Sequence, residues 1–295
     1  MKLLQVVRGG EAPRLGLLEG DAVRVLERPH AGIATTLELL VAVEERGLDA
    51  AAWRAAAEAA GSFGERRFAD LAAGRGEERL ALPHVPPEAW GAGVTYRRSA
   101  DFREEGTGFY DRVYGAERPE LFFKATASRC SAPGQPIGRR RDSAFTATEP
   151  ELALVLGRSG RILGFTLAND VSAWDIEREN PLYLPQSKVY RGCFSFGPLI
   201  ATPDEIADPY AIELQCRVER GDGVVFSGSA STGQLERRYE EIVSWLIRCD
   251  DIPTGTVLST GTGIIQPMAA GLEEGDVVVI SAPELGELRN PVALV

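Results

Sequence analysis

The residues of this 295-residue chain best equipped for chemistry are three carboxylates: Glu149, Glu151 and Asp170. Glu149-Pro150-Glu151 leads into Leu152-Ala153-Leu154-Val155-Leu156, an apolar run that reads as a strand. Residues two apart on a strand project to the same face, so both glutamates would stand side by side. Pro150 fits if the strand begins there or lies at a sheet edge. A second strand candidate, residues 162–167, follows the turn Gly157-Arg158-Ser159-Gly160 and runs on to Asn169-Asp170. A hairpin pairing of the two brings Asp170 back beside the glutamates. Like charges this close repel, and burying them is costly unless a cation sits between them. Three carboxylates without a histidine suit a hard, oxygen-seeking ion: Mg²⁺ first, with Mn²⁺ or Ca²⁺ as substitutes. An octahedral ion with three protein ligands keeps positions for water and a chelating substrate. Taken alone, E-x-E is equally the mark of a solvent-facing edge strand.

Positioning these groups falls to a strand-rich segment. Beyond residue 88 the chain is rich in Gly and Pro. A further hairpin is expected over residues 212–218 and 224–228 around Gly221-Asp222-Gly223, an amphipathic helix over 238–248, and strands over 256–260 and 277–280. Before it lie short strand candidates at 3–7, 15–18 and 22–26. Helices are expected over 35–45, capped by Thr35 or Thr36, and over 48–60. The class expected is α+β, with a small N-terminal α+β domain over 1–85 and a β-rich catalytic domain over 86–295. The boundary is placed at Ala81-Leu82-Pro83-His84-Val85-Pro86-Pro87, where prolines stop regular structure.

Charge narrows the partners. The formal net charge is −11 with no basic stripe, a poor match for nucleic acid or an anionic membrane surface. An anionic substrate then needs a bound cation or a few positioned Lys and Arg. No stretch approaches the roughly 20 apolar residues of a membrane span, and the first ten residues carry too short an apolar run for a secretory signal. A cytoplasmic location is expected. The four cysteines lie far apart without a C-x-x-C pair and read as reduced, mostly buried thiols. His30 and His84 have no ligand-spaced partner, so neither a histidine metal site nor a Cys-His nucleophile is expected.

Phe122-Phe123-Lys124, Glu149-x-Glu151-Leu152-Ala153, Asn169-Asp170-Val171-Ser172-Ala173-x-Asp175, Ser187-Lys188 and Gly197-Pro198 follow one another in an order and spacing that resemble the fumarylacetoacetate hydrolase family. The resemblance covers roughly residues 88–295. It implies a β-rich mixed-sheet roll or sandwich, a metal on Glu149, Glu151 and Asp170, and a small anionic 2-keto acid as substrate. It further implies substrate contacts from Lys124, Gln186, Gly261 and Thr262, and a homodimer or homotetramer.

One branch of the family looks nearest, through Arg118-Pro119-Glu120 and Asn180-Pro181-Leu182-Tyr183-Leu184-Pro185-Gln186-Ser187-Lys188. Its members dehydrate 2-keto-3-deoxy sugar acids such as 2-keto-3-deoxy-D-arabinonate to 2,5-dioxopentanoate. Proton transfer there is implied for Glu120 and Lys188, with the assignment of base and acid open between them. Hydrolase members use a histidine near the start of the catalytic domain, where this chain reads Gly93-Val94-Thr95-Tyr96-Arg97-Arg98-Ser99-Ala100. Glu177 replaces a glutamine of the hydrolases, and Trp174 stands where many members carry Arg. C–C hydrolysis of acylpyruvate-like diketones is therefore the second reading, and a non-catalytic sugar-acid binding protein the third.

Blander roles exist for several of these residues. Lys188 could merely neutralise the acids, and Glu120 could pair with Arg118. Arg139-Arg140-Arg141 reads as a solvated loop, or one Arg pairs with Asp142 or a substrate carboxylate. Thr260-Gly261-Thr262-Gly263 could be only a turn. Ser172-x-x-Asp175 reads as a structural capping box.

Overall fold

The apolar run after Glu149 becomes the strand Pro150–Leu156, all seven residues buried. It opens at Pro150 and lies inside a sheet, between Ile162–Asp170 and Thr256–Ser259, so the missing amide of Pro150 falls at the strand's first position. The computed structural model describes residues 1–30, 32–46, 49–97, 99 and 109–295.

The larger sheet runs Gly61–Arg67, Ala22–Pro29, Arg14–Glu19, Lys2–Arg8, Phe194–Ala201, Ile162–Asp170, Pro150–Leu156, Thr256–Ser259, Ala89–Gly93, Glu120–Ala125. Most neighbours are antiparallel, but Thr256–Ser259 pairs parallel with Ala89–Gly93, which makes the sheet mixed. The smaller sheet runs Gly223–Ser231, Glu213–Arg220, Val277–Ala282, Gly286–Leu294, Ile137–Arg139. Its strand Glu213–Arg220 buries Leu214, Cys216 and Val218 on one face only. Those residues pack against Leu152, Leu154 and Leu167 of the larger sheet in one core.

The opposite face of the central strands carries Val155, Leu163 and Ile200. There the helices Thr36–Arg46 and Ala50–Ala59 supply Leu39, Leu40, Val43 and Trp53. Successive side chains of a strand point to opposite faces, so Leu154 enters one core and Val155 the other. Covering on both faces explains why Leu152 to Leu156 is continuously apolar rather than alternating. The result is an α+β fold of two packed sheets, with helices covering one face.

The boundary expected near residue 85 falls between Glu78–Leu80 and Ala89–Gly93, yet the sheet crosses it. Lys2 pairs with Ala201 and Leu3 with Ile200, so the two proposed parts, 1–85 and 86–295, share one sheet. The connecting segment is anchored by His84, fully buried, whose Nε2 donates to the Gly255 carbonyl at 2.6 Å. Its ring meets Phe196 edge-on at 5.4 Å.

Burial pushes the His84 imidazole down to about 4, although its bond to Gly255 pulls the other way. The unfolded chain takes up this proton near pH 6.5 and the folded chain does not. Stability is therefore fully present above that pH and falls as pH drops toward 4, by about 3 kcal/mol for this group alone. Denaturant midpoints measured from pH 7.5 to 4 should show this slope, and His84→Gln, which keeps an amide donor for Gly255, should flatten it.

Candidate metal centre

Pairing of Pro150 with Asn169 and of Glu151 with Ala168 sets the hairpin register. The Asp170 amide donates to the Glu149 carbonyl at 3.0 Å. Glu149, Glu151 and Asp170 thereby each present a carboxylate oxygen within 4.8 Å of the other two. They are 3%, 1% and 1% exposed, which removes the solvent-facing edge-strand alternative.

Each carboxylate is held by its own set of donors. Glu149 Oε1 accepts from the Trp174 indole at 2.6 Å, and both Glu149 oxygens accept from Lys188 Nζ at 3.1 Å. Lys188 Nζ also reaches Asp170 Oδ2 at 3.0 Å and Ser172 Oγ at 2.6 Å. Asp170 Oδ1 lies 2.5 Å from Lys124 Nζ. Glu151 Oε2 receives only neutral donors, Ser259 Oγ at 2.5 Å and the Gly261 amide at 2.6 Å.

That asymmetry shows in the acid strengths. Burial, then the neighbouring Asp170 and Glu149, push the Glu151 carboxyl up to about 8. Burial would also raise Asp170, but Lys124 and Lys188 outweigh it and hold this carboxyl below its ordinary value. Among the described side chains, the cluster sets three carboxylates against two ammoniums when Glu151 is ionised. A divalent cation fits this all-oxygen donor set and turns the cluster net positive by one. A ligand carrying a single carboxylate then makes it neutral.

The strand Glu120–Ala125 displays the remaining groups. Glu120, Phe122 and Lys124 are two apart and share one face. The Phe122 ring centroid lies 5.2 Å from Lys188 Nζ, so this face looks onto the cluster. Room for it comes from the neighbouring strand. A Cβ on Gly93 would lie 1.9 Å from Glu120 Oε2, and one on Gly91 would lie 2.5 Å from the Phe122 ring. Lys188 ends the helix Leu184–Lys188, which Pro185 helps to start and whose Ser187 hydroxyl donates to the Ala173 carbonyl at 2.9 Å.

Several residues do different work from that expected. Lys124 is fully buried, and its three N–H bonds go to Asp170, the Val171 carbonyl at 2.9 Å and the Lys188 carbonyl at 2.6 Å. It braces Asp170 within the cluster. Thr262 Oγ1 donates to the Pro150 carbonyl at 2.8 Å and accepts from the Ile264 amide at 3.1 Å. The Gly261 amide is spent on Glu151, and its φ of +92° and a Cβ position 1.9 Å from Thr95 Oγ1 require glycine. These two residues shape the triad's surroundings through Glu151 and Pro150. Gln186 does line the cavity beside Lys188.

Ser172-x-x-Asp175 is not a capping box. The helix Trp174–Glu179 has Ala173 as its cap, without a side-chain bond. Asp175 instead receives Ser143 Oγ at 2.6 Å and the Ala144 amide at 2.7 Å. Ser172 belongs to the charged cluster, and so do Trp174 and Ser259, whose roles sequence reasoning missed. Arg140 pairs with Asp142, as one alternative for the Arg139-Arg140-Arg141 run had it. Arg118 lies over the Trp245 ring at 4.5 Å. Cys193 and Cys216 are buried and Cys249 is exposed, all as free thiols. Of the histidines, His84 is locked in the core and His30 is exposed.

The fumarylacetoacetate (FAA) hydrolase C-terminal family model matches residues 89–293. This chain belongs to the fumarylacetoacetate hydrolase family. The resemblance carried by Phe122 to Pro198 is thus borne out. Among relatives in this family, 2-dehydro-3-deoxy-D-arabinonate dehydratase of Saccharolobus solfataricus is 47% identical over 221 residues, 72% of this chain and 74% of the relative. The probable 2-keto-3-deoxyxylonate dehydratase of Haloferax volcanii is 43% identical over 222 residues, 74% of this chain and 76% of the relative. A solved structure of 2-keto-3-deoxy-D-arabinonate dehydratase complexed with magnesium and 2,5-dioxopentanoate matches with a TM-score of 0.87. It is 38% identical, and the match covers 100% of this chain and 99% of that one.

Removing the brace behind Asp170 should loosen the metal site of this family member without unfolding it. Lys124→Met is expected to weaken Mn²⁺ or Mg²⁺ binding by about 10- to 100-fold, read by calorimetry, while the far-ultraviolet circular dichroism stays unchanged. Unaltered metal affinity would show that Asp170 does not need this ammonium.

Proposed function

We propose that this chain is a Mg²⁺-dependent hydro-lyase. It converts a 2-keto-3-deoxy sugar acid, 2-keto-3-deoxy-D-arabinonate in the first instance, to 2,5-dioxopentanoate and water. The observation that carries this reading is the buried triad of Glu149, Glu151 and Asp170 with Lys188 lodged among its oxygens. Dehydratase relatives at 47% and 43% identity support it.

Glu149, Glu151 and Asp170 would hold the ion. Mg²⁺ there supplies Lewis acidity to the chelating carboxylate and keto oxygen of the substrate, which acidifies the C3 protons. Lys188, 3.0 to 3.1 Å from two of the ligand residues, is assigned the C3 proton. Glu120, on the strand face that looks onto Lys188, is assigned the proton delivered to the departing C4 hydroxyl. The C4 hydroxyl leaves as water to give the C3=C4 enone; loss of a C5 proton, protonation at C3 and C4 and ketonisation of the C5 enol then complete 2,5-dioxopentanoate. Phe122 and the apolar cavity wall limit stray water. Gln186, on the same wall, is positioned for a substrate hydroxyl.

Neither histidine of the chain can activate water at this centre, because His84 is spent on Gly255 inside the core and His30 is exposed in the N-terminal part. That disfavours C–C hydrolysis. The same reading places the enzyme in the cytoplasm as a homodimer or homotetramer, and no helix among the described residues is long and apolar enough to cross a membrane.

Incubation of the Mg²⁺-loaded protein with 2-keto-3-deoxy-D-arabinonate should give loss of one water by mass spectrometry. EDTA and Glu149→Ala should each abolish it; turnover surviving both would remove the metal from the reaction, and two carbon fragments would reinstate hydrolysis. Gly93→Ala offers a finer test, since its methyl displaces the flexible Glu120 carboxylate more than the backbone. It should lower kcat by about 10²-fold with metal affinity unchanged.

A further inference from the structure

A cavity of about 480 Å³ opens beside Lys188, walled by Phe122, Phe123, Leu184, Pro185 and Val189. Among the described residues, the cationic side chain on its lining besides Lys188 is Arg140. A cation on the lining of a 2-keto acid pocket would ordinarily attract a second carboxylate on the substrate. Here it is already taken. Arg140 Nε and Nη2 donate to the two oxygens of Asp142 at 2.8 and 2.6 Å, and Nη1 donates to the Gln186 carbonyl at 3.0 Å. Its guanidinium also lies over the Tyr190 ring at 5.5 Å. The fork that would grip a carboxylate is filled by one from the chain itself.

The interior reaches charge balance by a different route. With a divalent ion on the triad, the three ionised carboxylates and two ammoniums described there leave room for one further negative charge. The substrate carboxylate chelated there supplies it. A second substrate carboxylate would lie against apolar walls and an occupied arginine.

We propose that Asp142 sets the charge specificity of this site: by occupying Arg140 it makes the pocket select 2-keto acids whose one anionic group sits at the metal, and reject 2-keto dicarboxylates. The inference rests on the metal-dependent 2-keto acid reading above and deepens it. Discrimination of this kind works by withholding a partner from the wrong ligand rather than by adding contacts to the right one.

The test compares 2-oxopentanoate with 2-oxoglutarate, five-carbon 2-keto acids that differ in a terminal methyl against a terminal carboxylate. Binding of each to the Mg²⁺-loaded protein is measured by calorimetry at fixed ionic strength. Wild type should prefer 2-oxopentanoate by about tenfold or more, and Asp142→Asn should erase roughly that factor by strengthening 2-oxoglutarate. The double variant Arg140→Gln/Asp142→Asn should restore the preference. Equal binding of both ligands by wild type, or an unchanged ratio in Asp142→Asn, would overturn the proposal. So would a gain that persists in the double variant, because overall charge and not Arg140 would then be the cause. Failure to dehydrate 2-keto-3-deoxy-D-arabinonate, with this discrimination intact, would count against the dehydration reading alone.

Discussion

Burying three carboxylates within 4.8 Å of one another is the constraint from which the rest of this site follows. Removing each charge from water costs several kcal/mol even after relaxation, and mutual repulsion adds to it. The chain answers with donors of two kinds. Lys124 and Lys188 serve Asp170 and Glu149, whereas Glu151 has only a hydroxyl and an amide. Burial and the neighbouring Asp170 and Glu149 accordingly push the Glu151 carboxyl up. A dication placed among the three serves all of them at once, which two ammoniums confined to one side cannot do.

Such crowding demands thin walls. Gly91 and Gly93 let the Phe122 ring and the Glu120 carboxylate lie directly on the neighbouring backbone, and Gly261 brings its amide to Glu151 where any side chain would strike Thr95. Immediately after Gly93, Val94 adopts a left-handed φ of 52°, uncommon for a β-branched residue and consistent with a turn dictated by its surroundings. These groups sit on strands and strand ends, so their positions are fixed by ladder pairing more than by loop conformation.

Much of this was legible in the sequence, for identifiable reasons. The E-x-E spacing and the short Gly157–Gly160 turn together force Asp170 back onto the glutamates, because strand period and hairpin register are local rules. The double burial of Leu152 to Leu156 is visible as an unbroken apolar run. What escaped depends on long-range contacts. Nothing local distinguishes a Ser172 that caps a helix from one that meets Lys188 across 16 positions, and the same holds for Ser259 beneath Glu151. Lys124 and Thr262 were recognisable as polar residues near the site, but whether their bonds point toward the cavity or into the scaffold is decided by partners at Asp170, Val171, Lys188 and Pro150. The shared sheet was likewise hidden, because the pairing of Lys2 with Ala201 spans nearly 200 residues.

The layers around the centre explain how so much charge coexists with an apolar pocket. Carboxylates occupy the middle, and the ammoniums of Lys124 and Lys188 sit against them. Aromatic rings come next: Phe122 lies 5.2 Å from Lys188, and Tyr190 lies 5.9 Å from Lys124 and 5.5 Å from Arg140. The faces of these rings attract cations while keeping water away, so each ammonium is held without a further carboxylate being buried. Tyr190 is also tied down by its hydroxyl, which donates to the Val171 carbonyl at 3.1 Å. That carbonyl accepts from Lys124 as well, so the aromatic layer and the ammonium layer share an anchor beside Asp170. Outward of the rings the charges occur as the Arg140–Asp142 pair, whose field decays quickly in the solvent that bathes Asp142. The strong electrostatics are thus concentrated at the buried triad and its ammoniums, and the cavity wall formed by Phe122, Leu184, Pro185 and Val189 is left to act by shape.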